Sequence, residues 1–187
     1  MKMRGKMKEM NDMEYGLFTT LSELSAEHFS DMTFDDESGT YAYFSNGTHG
    51  IYLSFDGIAV RISDDVEIGM FNEDEKELVF NPECIGNLIV LLHELIHVHE
   101  FIISSSLIPE LRDALVMTLY KKLIAKHTDL EEYLKKRVSG EKFAFIHDIG
   151  GTHSILFALK ALDIDDRMGW KAGTTFGYSM FVNDSEE

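Results

Sequence analysis

The chain changes its hydrophobic period twice. Residues 12–30 space Leu17, Phe18, Leu21, Leu24 and Phe29 close to the helical repeat, which predicts one amphipathic helix. From Thr40 to Asn81 the period falls to two. TYAYFS, GIYLSF and IAVRIS are separated by Asn46-Gly47 and Asp56-Gly57, dipeptides that accept the positive φ of tight hairpin turns. IGMF (68–71) and ELVFN (77–81) continue the alternation on either side of the charged run NEDEKE. The expectation is a small, mainly antiparallel sheet.

After Asn81-Pro82 the pattern becomes helical. Pro82 predicts a helix start, where a missing N–H does no harm, and the helix runs to about Ile103 before Ser104, Ser105 and Ser106 break it. A second helix is predicted from Pro109 to about His127, with Leu111, Leu115, Leu119 and Leu123 forming an i, i+4 stripe of core residues. Asp129 is placed to cap a short helix over 130–138, and 140–149 holds another. Gly150-Gly151 then breaks the chain before a last helix over 152–162. The acid-rich segment from Asp163 reads as loop, with one strand near 174–181. The fold class expected is α+β: one domain over 1–187, with a flexible end at 1–11, a helix plus sheet over 12–81 and a helical half over 82–187.

Composition supports a core, with 44% hydrophobic and 27% charged residues. Charge narrows the partners. Seventeen Lys and Arg against 33 Asp and Glu give −16, a field that repels phosphate backbones and anionic lipid, so neither nucleic acid nor membrane is expected. The acidity is concentrated: between Asp31 and Glu83, 13 acids face only Arg61 and Lys76, leaving −11 in that segment. The single cysteine, Cys84, forms no internal disulfide and no cysteine metal cluster. No apolar run of signal-peptide length follows MKMRGKMK, and none is long enough to span a bilayer, so a cytoplasmic location is expected.

Residues 93–97 read His93-Glu94-Leu95-Ile96-His97, inside the apolar run LIVLLHELIHVHEF. On a helix, positions i and i+4 share a face, so both imidazoles can reach one metal ion while Glu94 reaches a water held there. A zinc ion with neutral imidazole ligands keeps its positive charge and lowers the pKa of bound water to around 7. Glu94 can then take the proton as the water attacks a carbonyl and pass it to the leaving amine.

On this HExxH motif the chain resembles the zincin metallopeptidases, in which such a helix packs beneath a small sheet. The resemblance is specific over 88–99 and architectural over 40–127. It implies zinc as cofactor, His93 and His97 as ligands, Glu94 as general base, and peptide hydrolysis as the activity. His99 stands where the family has an apolar residue, two positions after the second histidine. The metzincin extension is absent after His97, which leaves the gluzincin pattern, where an acid from the next helix completes the site. There Glu110 and Asp113 lie i, i+3 on one face: one can ligate zinc while the other orients a histidine. Acids in a first helical turn are also favoured by the macrodipole alone.

Other candidates for the third ligand are Glu100, Glu131, Glu132 and His153. His153, opening the last helix, can ligate metal or donate to an oxyanion as a transition-state stabiliser. Tyr120 and Tyr178 are oxyanion donors of the same kind, or ordinary half-buried tyrosines. His147-Asp148 matches the adjacent pair of HD-type phosphohydrolases, a two-residue pattern with little information. The expected function is a zinc-dependent intracellular peptidase of narrow specificity, similar to short regulatory peptidases. Strand ELVFN, just before the motif helix, is expected near the cleft, where a peptide pairs with a sheet edge, and the acidic sheet half favours basic peptides. The alternative is a non-catalytic, metal-binding zincin scaffold that acts as an acidic protein-binding module.

Overall fold

A computed structural model describes residues 10–29, 33–35, 41–43, 58–104, 110–137 and 153–177. The chain divides into two compact units, 1–101 and 102–187. The segment GIYLSF, both hairpin dipeptides, the helix expected over 140–149 and the end of the strand expected near 174–181 lie outside the described residues.

In the first unit, helix α1 (Asp12–His28) starts on a capping box. The Asn11 side chain accepts from the Met13 and Glu14 N–H groups, and one Glu14 carboxylate oxygen accepts from the Asn11 N–H. Such a cap contributes about 1 kcal/mol. Asn11, expected in a flexible end, is therefore an anchor. The other Glu14 oxygen accepts from the Ile62 N–H at 3.2 Å and ties the helix start to a strand. Leu17, Leu21 and Phe29 are buried.

Strands β1 (Thr33–Asp35) and β2 (Tyr41–Tyr43) form an antiparallel pair. β3 (Ala59–Ile62), β4 (Gly69–Asn72) and β5 (Glu77–Phe80) form a mixed sheet of order β3-β5-β4. β3 runs parallel to β5 and β4 antiparallel to it. The fold class is α+β, as the pattern predicts. β5 departs from strict alternation, because all four of its residues are buried. Its one acid, Glu77, meets Arg61 of β3 at 3.5 Å.

This order corrects the expectation that ELVFN offers a sheet edge. β5 is the central strand, with both ladders occupied. Among the described residues the outer strands are β3 and β4, and the Glu14 carboxylate already covers one outward N–H of β3.

Pro82 does not start the next helix. Residues 82–86 are turns closed by Cys84 N–H to the Asn81 carbonyl and Asn87 N–H to the Cys84 carbonyl. Helix α2 (Leu88–Ser104) begins after Asn87, whose Oδ1 accepts from the Ile89 and Val90 N–H groups at 3.0 and 3.4 Å. Proline supplies no such acceptor, and the first turn of a helix needs one.

The second unit is helical: α3 (Glu110–Ile124), α4 (Leu130–Arg137) and α5 (Ile155–Met168), with α3 and α4 both packed on α5. The predicted leucine stripe is core, Leu115, Leu119 and Leu123 all being buried. α5 runs six residues past its expected end and stops at Gly169, whose φ of 68° suits glycine. The acids that suggested loop are accommodated inside. Asp163 is fully buried, with Lys122 Nζ at 2.5 Å, Arg167 Nη2 at 2.8 Å and Lys160 Nζ at 3.6 Å. Asp166 takes His127 at 2.8 Å and Lys126 at 3.3 Å. Residues 174–177, where a strand was expected to begin, belong to turns over 172–177 closed by Thr174 N–H to the Lys171 carbonyl and Gly177 N–H to the Gly173 carbonyl.

Candidate metal centre

The motif helix is apolar on nearly every side, and Val90, Leu91, Leu92, Leu95, Ile96 and Val98 are buried with it. That burial gives three of its polar residues their setting. His93 and Glu94 are 3% and 2% exposed, and His97 is half-buried. The His93 and His97 rings stand one turn apart with centroids 5.2 Å from each other. A carboxylate in such surroundings costs several kcal/mol unless it is engaged.

Strand β4 comes close to that carboxylate. A Cβ on Gly69 would stand 3.2 Å from Glu94 Cγ and 3.1 Å from Phe80 Cδ1, tighter than ordinary contacts. Glycine at 69 is what lets the sheet lie against the base candidate. Farther along α2, His99 is 1% exposed and meets Phe29 edge-on at 5.1 Å. It thereby occupies a core position where the zincin pattern has an apolar residue. Phe101 packs on Phe71 at 5.3 Å and lies under the Lys76 ammonium at 5.8 Å.

His153 belongs to the second unit. Ser154 is the N-cap of α5, and its hydroxyl accepts from the Leu156 and Phe157 N–H groups at 3.0 and 3.2 Å. The cap fixes the backbone beside His153. The imidazole rests between two aromatic rings, Phe157 at 4.3 Å and Phe176 at 5.0 Å between centroids. Burial holds its pKa below the usual imidazole value, which keeps the ring neutral and a nitrogen lone pair available at neutral pH.

His93 and His97 offer two imidazoles from one face of α2, a pair that could hold a metal ion together with further ligands. Imidazoles suit borderline divalent ions such as zinc, and nickel, copper or iron accept them too, so the pair fits a metal without fixing which. Of the candidates favoured by the gluzincin pattern, Asp113 is exposed on α3, and the Glu110 side chain lies outside the described residues. Glu131 and Glu132 are exposed on α4 and pair with Lys135 and Lys136. Tyr120 donates weakly to Glu131 at 3.4 Å. Tyr178 and His147-Asp148 lie outside the described residues. Among the described residues, no helix is long and apolar enough to cross a membrane. Compared with known proteins, the chain matches no family model, no curated protein and no solved structure.

Proposed function

We propose that this protein is a metal-dependent peptidase, with zinc the best-suited ion, His93 and His97 two of its ligands and Glu94 the general base. The observation that carries this reading is a nearly fully buried carboxylate adjacent in sequence to His93, whose imidazole stands one helical turn from that of His97. When bound, the ion supplies Lewis acidity and eases deprotonation of water near neutral pH. The chain's own groups do the rest. The imidazoles are neutral donors that leave the site cationic, and Glu94 takes a proton on its carboxylate and returns it to the departing amine. Burial strengthens each of these interactions by removing competing water.

The substrate would enter along β4. Among the described residues that strand is an outer strand of the sheet, and its first residue, Gly69, adjoins Glu94. An extended peptide can add to such an edge through main-chain hydrogen bonds. Asp64, Asp65 and Glu67, all exposed just before β4, favour basic side chains in the peptide, and a single cysteine favours a reducing, intracellular setting.

The same exposed acids support the second reading, a metal-holding module that binds a basic protein without cutting it. One experiment separates them. Protein purified without chelators is assayed for divalent metal and for cleavage of a Lys/Arg-rich peptide library, beside Glu94→Gln. The peptidase reading expects stoichiometric metal in both proteins and cleavage only by the wild type. Metal in both with cleavage by neither supports the binding module, and absence of metal overturns both.

A further inference from the structure

Glu94 stands on a different face of α2 from the two histidines it is proposed to serve. At about 100° per residue, Glu94 lies about 80° around the helix from the midpoint of His93 and His97, and within about 20° of Phe101, two turns on. That face is the one the sheet covers. Phe101 meets Phe71 of β4 at 5.3 Å between ring centroids, and a Cβ on Gly69, two residues earlier on the same face of the strand, would stand 3.2 Å from Glu94 Cγ. β4 therefore crosses the helix with Phe71 on Phe101 and Gly69 on Glu94.

Directly across the ladder from Gly69 is Phe80 of β5. Its ring is fully buried and leans over the glycine, with Cδ1 and Cε1 at 3.1 and 3.3 Å from the place a Cβ on Gly69 would take. The ring and the Glu94 stem thus border the same space, the one a side chain at 69 would fill. Interiors are close-packed, so a fully buried ring has little room to retreat, whereas the Glu94 stem is an unbranched, rotatable chain. Anything added at 69 acts on the stem.

From this geometry we infer that Gly69 and Phe80 are positioning residues for Glu94: the ring laid over the glycine bounds the carboxylate stem on the sheet side and fixes how far it reaches round α2 toward an ion on His93 and His97. This role rests on the reading of Glu94 as general base. It adds that the base is set by the sheet, at a position where a missing side chain is what matters, and not by its own helix alone. Misplacing a reacting group by about 1 Å can cost about 100-fold in rate.

The test uses the full-length protein loaded with zinc. It reads kcat and KM on a Lys/Arg-rich peptide library, zinc affinity by competition with a chromophoric chelator, and the denaturation midpoint of the metal-free form. Gly69→Ala is expected to lower kcat about 10- to 100-fold with KM and zinc affinity unchanged, and to lower it no further in a Glu94→Gln background. Gly69→Ala/Phe80→Leu, which trims the ring to make room for the methyl, should recover most of the lost kcat. Denaturation reads the geometry without any reaction: Gly69→Ala should lower the midpoint, and lower it less in Glu94→Ala, where the stem is gone. If Glu94→Gln abolishes cleavage while Gly69→Ala leaves kcat unchanged, or lowers it equally in both backgrounds, the positioning role is overturned and the base stands. An equal loss of midpoint with and without the stem overturns it too. If the wild type cleaves no peptide, or Glu94→Gln cleaves as well as the wild type, the base reading falls, and the positioning role with it.

Discussion

Helices α2 and α5 differ in what their buried polar residues are. On α2, His93, Glu94 and His99 sit among leucine, isoleucine and valine, and two of them belong to the HExxH motif. Around α5 the buried polar residues answer one another. Asp163 lies among Lys122, Lys160 and Arg167, and Asp165 is met by Thr175 and Gly173. The first set is the one we propose for chemistry, and the second uses charge internally to fix a shape.

The sharpest way to break that comparison is to remove the base. Glu94→Gln should lower peptide cleavage by about 100- to 10,000-fold with metal content unchanged. If α2 used Glu94 only as architecture, metal content and thermal stability would fall instead. Next in size is Asp163→Ala, which removes the buried carboxylate that Lys122, Lys160 and Arg167 surround. Chemical denaturation should show a loss of about 3–5 kcal/mol. A loss below 1 kcal/mol would mean that these ion pairs are exposed in effect, and the architectural reading of α5 would fail.

A smaller effect is expected from Gly69→Ala, which forces a methyl against Phe80 and the Glu94 stem. It should cost about 1–3 kcal/mol of stability by overpacking, and activity should fall without metal loss because the base is displaced. Asn11→Ala should remove about 1 kcal/mol through the cap, with no effect on metal affinity. The subtlest effect is on pH. Burial raises the Asp165 pKa, with opposing hydrogen bonds from Thr175 and Gly173. A carboxyl raised in the folded state favours folding most at pH below its unfolded value, near 4, and that contribution is lost as pH rises through the folded value. The stability of metal-free wild type relative to Asp165→Asn should decline across the mildly acidic range. An unchanged difference would mean that Asp165 titrates as an ordinary carboxylate.

Legibility followed the range of the interactions. HExxH lies within one helical turn, so its spacing alone puts His93 and His97 together. The α1, β3, β4 and β5 segments were also plain, because each depends on local period. What failed depended on distant partners. Asp163 and Asp165 suggested loop, since the cations and donors that make them tolerable in a helix come from α3 and from the turn over 173–177. The central place of β5 could not be read from a strand's own pattern, though the uninterrupted run Leu78, Val79, Phe80 was a hint of burial on both faces. Pro82 outranked Asn87 as a helix start only because it is the louder punctuation; Asn87, directly before the apolar run, was the better cap. The setting of His153 is also local: a serine cap beside it and an aromatic residue, Phe157, four positions on.

X-ray absorption at the edge of the bound metal tests the central claim most directly, since it counts imidazoles around the ion. The account predicts histidine ligands at about 2.0–2.1 Å for zinc, with one imidazole lost in His93→Ala and one in His97→Ala. A count of imidazoles unaltered by either substitution would contradict it.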